Sequence, residues 1–99
     1  MKITPDQIYT FKFNSGEEVI TKVTSVDGDW IEISNPVAVA PGPQGMGLIT
    51  ASFTADHDLP MYININNCAL VGQTDETIQS KYIQATTGIQ VPEKKLVLG

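Results

Sequence analysis

The chain has 99 residues and a net charge of −5 at neutral pH, with eleven Asp and Glu against six lysines, no arginine, one cysteine and one histidine. That length suits one domain with a modest core, and one cysteine excludes both an internal disulfide and a Cys/His zinc site. The acidic balance excludes a protein that coats duplex phosphates with a cationic stripe, and no apolar run approaches the ~20 residues of a membrane span.

The start, Met1-Lys2-Ile3-Thr4-Pro5-Asp6, has no signal-peptide apolar region, so a cytoplasmic setting without membrane contact is expected. Ile, Val and Thr supply 29 residues against five Leu. β-branched side chains pack well on a pleated surface, so the fold is expected to be mainly β. In Gln7 to Phe13 the aromatics Tyr9, Phe11 and Phe13 alternate onto one strand face, and Asn14-Ser15-Gly16 forms a short turn. Glu18 to Val26 is apolar on both faces, as in a long bent strand shared between two sides of a small barrel.

Asp27-Gly28 predicts a hairpin with a type I′ turn, after which Trp30-Ile31-Glu32-Ile33-Ser34 resumes alternation toward Val39. Pro36 marks an edge, a bend or an end of pairing there. Pro41 to Gly47, with three glycines and two prolines, predicts a loop. Strands are expected again over Leu48 to Ala55 and Met61 to Ile65, with Asn66-Asn67 as a turn and Cys68 to Val71 as a short last strand.

Only then does the period change. Thr74 or Asp75 can cap a helix over about 75–87, Ile78, Tyr82 and Ala85 give it an apolar stripe, and Gly88 stops it. Such a helix is marginal alone and must dock on the barrel or on a neighbour. The tail, 89–99, reads as a further strand or an arm ending in the apolar Leu96-Val97-Leu98. With no internal repeat or linker, residues 1–99 form one domain with the strands over about 7–72.

Few groups carry chemistry. Asp56-His57-Asp58 offers a metal or acid–base reading, but neighbours in an extended run point to opposite faces and no second histidine exists. A solvated loop is the better account. Cys68, in an apolar run without a histidine nearby, reads as a buried structural thiol. No enzyme activity and no cofactor are expected. Trp30, at the mouth of a hairpin, is either a core residue or an exposed stacking platform for a base. Asn64, Asn66 and Asn67 suit a turn, and an Asn amide can also read a base edge.

The segment with Phe13, Gly16, Val19, Val23, Val26, Asp27 and Trp30, and the segment Ile63-Asn64-Ile65-Asn66-Asn67-Cys68-Ala69-Leu70, resemble in spacing and order the two signature motifs of the Sm/LSm family. Together they cover about half the chain, and diverged chains of this look are expected among phage proteins. The resemblance implies a small bent antiparallel β-barrel (SH3-like, Sm-like), five-stranded, here with one C-terminal helix instead of the family's N-terminal one. It implies a homo-oligomeric ring of about five to seven subunits, joined strand edge to strand edge. It also implies single-stranded RNA as partner, bound at pore-lining turns.

Carried over by position, Trp30 stands where the family stacks a base and Asp27 matches its turn Asp. Ile31 replaces the base-reading Asn, Asn66 the Arg and Asn67 the Gly. The nucleic-acid-binding residues so implied are Asp27, Trp30, Asn66 and Asn67. The competing expectation is a structural or protein-interaction ring that binds no nucleic acid.

Overall fold

The computed structural model describes residues 2–87; the expected helix stop at Gly88 and the tail 89–99 lie outside the described residues. The chain runs β1 (Ile8–Phe13), β2 (Glu18–Asp27), β3 (Trp30–Gly42), β4 (Gly45–Thr50), β5 (Met61–Asn64), a single 3-10 turn (Ile65–Asn67), β6 (Cys68–Gln73) and α1 (Glu76–Thr86). All pairings are antiparallel, in the order β4-β3-β2-β1-β6, with β5 also on β3. The mainly β class is thus as the composition predicted, and the helix, the only α-helix among the described residues, is as the cap and apolar spacing predicted.

The closed barrel is not formed. β5 pairs only with β3 and β6 only with β1 among the described residues, so the sheet is open between them. The physical reason is the link: the 3-10 turn carries the chain from the β3 side of the core to the β1 side without a β5–β6 ladder.

β3 explains how the six strands expected from the residue pattern pair, where the family resemblance implied five. Trp30 to Ile33 pair with β5, whereas Val37 to Gly42 pair with β4. The switch falls at Asn35-Pro36. Along β2 the register passes from Ile20↔Val37 to Lys22↔Ser34, so Thr21 alone faces two residues of β3. Asn35 takes a left-handed φ of 51°, which Asn tolerates, and Pro36 brings no N–H to leave unpaired. Pro41 to Gly47, predicted as a loop, is instead the tip of the β3–β4 hairpin, paired as far as Gly42↔Gly45. Prolines are tolerated there because this arm lies at the sheet edge.

Both faces of the central strands are covered, as the doubly apolar β2 predicted. One face carries Tyr9, Phe11, Val23, Ile31, Ile33 and Ile63, with Phe13, Cys68 and Val71 packed on them. The other carries Ile20 and Val37, closed by Tyr82 and Ile78 of α1. Asp75 caps α1 by accepting from the N–H groups of Thr77 and Ile78. Thr74, the alternative cap, is buried and shares a hydrogen bond with the Thr10 hydroxyl at 2.9 Å.

The Tyr82 hydroxyl fills the gap in the ladder at the β2–β3 bulge. It accepts from Lys22 N–H at 3.1 Å and donates to the Ser34 carbonyl at 3.0 Å. α1 therefore docks on its own sheet, through a polar bond as well as an apolar stripe. Of the expected stripe, Tyr82 is buried, Ile78 half-buried and Ala85 exposed.

Candidate functional site: three turns at one end of the sheet

Three turns meet at one end of the molecule. In the first, Gly16, at φ 101°, closes a turn in which its N–H donates to Phe13 O. In the second, Asp27 pairs with Trp30, so the loop residues are Gly28 and Asp29. Gly28 has φ 60° and Asp29 has no positive φ, which fits a type II′ turn and not the expected I′. The third is the 3-10 turn, where Asn64 caps by accepting from Asn66 N–H at 2.9 Å.

Hydrogen bonds tie these turns together. Ile65 N–H donates to Asp29 O at 2.8 Å, and the Asn66 amide donates to the Asp29 carboxylate at 3.0 Å. Asn14 N–H donates to Asn67 O at 2.8 Å, and the Asn14 amide reaches Asn66 O at 3.4 Å. The segments singled out in the sequence, Asp27 to Trp30 and Asn64 to Asn67, are thus neighbours in space.

Each site residue predicted from the sequence has a definite place. Trp30 is 53% exposed, so it is not a core residue. It opens β3 directly opposite Asn64, the last residue of β5. Ile31 is buried in the core and presents nothing to a ligand. Asn66 and Asn67 are exposed, and the Asn66 NH₂ group is engaged by Asp29. Asp27 is exposed, and it is Asp29 that bonds across to the 3-10 turn. Asp29 and Asn14 were missed in the sequence, because a cross-turn partner depends on which turns the fold brings together. The only sequence signal for Asp29 was its place beside Asp27-Gly28.

Elsewhere, Thr50, Ser52, Phe53, Ala55, Asp56, His57 and Asp58 line a shallow cleft of about 240 Å³. The His57 ring Nε2 lies 3.0 Å from the Ser52 carbonyl, and Asp56 accepts from Asp58 N–H at 2.9 Å, so both side chains hold the loop's own backbone. No cluster of three or more His, Cys, Asp or Glu suited to a metal ion occurs among the described residues. Cys68 is half-buried, and burial pushes its thiol pKa up, away from the thiolate a nucleophile needs. No described helix is long and apolar enough to cross a membrane.

No known protein-family model matches the chain, and no curated protein is significantly similar to it.

Proposed function

We propose that this chain is an Sm-like module that assembles into a homo-oligomeric ring and binds single-stranded RNA at its clustered turns. The observation that carries the reading is the hydrogen-bonded meeting of the Asp27–Trp30 and Asn64–Asn67 turns beside a half-exposed Trp30. A flat aromatic face at a rigid turn stacks a base, and the side-chain oxygen of Asn66 and the side-chain amide of Asn67 bond to base or sugar. The edges of β5 and β6, unpaired among the described residues, support the ring. An open edge is a template for pairing, and joining β5 of one copy to β6 of the next removes both edges.

Binding is tested with short single-stranded oligoribonucleotides at low salt. Trp30→Ala should weaken binding by the worth of one stacked base, about 1–3 kcal/mol. With few cations per subunit, affinity should fall only gently with salt. Unchanged binding by Trp30→Ala sinks the mechanism. The second reading, an interaction ring without nucleic acid, is favoured by the exposed carboxylate-bearing Asp27 and Asp29 in the turn before Trp30, which repel phosphate. The 260/280 nm absorbance ratio of protein purified at low salt separates the two.

A further inference from the structure

Along β3, Ile31 and Ile33 point into the core while Trp30 and Glu32 face outward; on β5, Ile63 points in while Tyr62 and Asn64 face outward. The register sets Trp30 opposite Asn64 and Glu32 opposite Tyr62. Trp30 and Tyr62 are therefore diagonal neighbours on one sheet face, with a backbone spacing of about 7–8 Å. Each is 53% exposed. The aromatic pair in contact among the described residues is Tyr9–Phe11, so the half-exposed rings of Trp30 and Tyr62 are not stacked on one another.

Glu32 lies on the same face, two residues along β3 from Trp30 and directly opposite Tyr62, with its carboxylate held toward β2. The Thr24 hydroxyl donates to one oxygen of its carboxylate at 2.9 Å, and the second oxygen accepts from no group of the described chain. An oriented carboxylate with one oxygen unbonded by the described chain, on the face that carries both rings, repels phosphate but accepts an exocyclic amino group. Adenine and cytosine carry such a group on the edge where uracil carries a carbonyl oxygen.

We infer that the outward face of β3 and β5 is a two-base subsite. Trp30 stacks one base, Tyr62 stacks its neighbour, and Glu32 selects bases bearing an amino group over uracil. The subsite rests on the RNA reading above and extends it from one stacking residue to two, with a base preference.

Trp30 is the only tryptophan in the chain, so its fluorescence reports stacking at the first position directly. The probes are hexamers of adenylate, cytidylate and uridylate, titrated at low salt. The adenylate and cytidylate hexamers should quench Trp30 and bind at least about fivefold more tightly than the uridylate hexamer. Tyr62→Ala should weaken the adenylate hexamer about five- to tenfold and Tyr62→Phe should restore it, as a stacked base requires. Glu32→Gln should level the preference, because an amide also donates to a uracil carbonyl while keeping an acceptor for Thr24.

Quenching by all three hexamers with equal affinity, or wild-type affinity in Tyr62→Ala, overturns the subsite and leaves RNA binding intact. Absence of quenching or binding with every hexamer overturns both. The wild-type base preference needs no variant, so a folding defect in Tyr62→Ala leaves the inference testable.

Discussion

At the scale of single residues, the site end depends on a few exposed polar bonds. Asn66→Ala removes the amide that joins the 3-10 turn to Asp29. Because the pair is exposed, the loss should be at the low end of a hydrogen bond's worth, about 0.5 kcal/mol, measured by urea denaturation. Asn66→Asp should cost more, since it sets a second carboxylate against Asp29, and added salt should recover part of the difference. Ile65 N–H still donates to Asp29 O in both variants, so the two turns stay together. Cys68 gives a separate check on burial. Its thiol should react with a thiol reagent at pH 8 more slowly than free cysteine does, and at a similar rate once the protein is unfolded.

At the scale of elements, α1 is held by one side chain in two ways. Tyr82 contributes apolar area to the cluster with Ile20 and Val37, and its hydroxyl bridges the interrupted β2–β3 ladder. Tyr82→Phe keeps the ring but leaves Lys22 N–H without its partner, so a loss of about 1–3 kcal/mol is expected in urea unfolding. Thr21 still donates to Ser34 O at 2.8 Å, which moderates the loss on the carbonyl side.

A pH dependence follows with a definite sign. Burial pushes the Tyr82 hydroxyl pKa above the ordinary tyrosine value, outweighing the hydrogen bonds from Lys22 and Thr21 that lower it. The folded state thus holds this proton more tightly than the unfolded chain. The stabilisation is full below about pH 10, the unfolded value, and is lost as pH rises through the folded one. Tyr82→Phe should flatten that part of the alkaline limb of a stability–pH curve.

The same scale shows what was legible in the sequence. Alternation placed Tyr9, Phe11 and Phe13 on one face of β1 and Ile31 with Ile33 on one face of β3, faces that the core covers, and Asp75 with the Ile78 and Tyr82 spacing identified the helix. The β3–β4 arm was hidden by its own prolines and glycines, which read as a loop although Pro41 pairs with Met46. Pro36 marked the place where β3 changes partner, but no local pattern says which strands lie beside β3. At the site, turn chemistry located Trp30 and Asn66, but their bond partners Asp29 and Asn64 emerged only from the tertiary arrangement.

At the scale of the whole molecule, two opposing salt responses separate assembly from binding. Each copy carries a charge of −5, so bringing copies edge to edge adds like charge and is resisted at low ionic strength. Raising salt shortens the Debye length from about 30 Å at 0.01 M to about 8 Å at 0.15 M, which removes much of that repulsion. Assembly should therefore strengthen with salt, read as a rise in the light-scattering mass at low micromolar protein. RNA binding should weaken slightly over the same range, because the few counterions released on binding give a shallow slope. Leu70, exposed on β6, whose outer edge is unpaired among the described residues, provides the variant that separates the two. Leu70→Lys blunts the edge as natural edge strands do and leaves the core untouched. It should shift the protein toward monomer at every salt concentration while Trp30 still quenches with oligoribonucleotide. If Leu70→Lys keeps the wild-type mass throughout, the β6 edge is not where copies join.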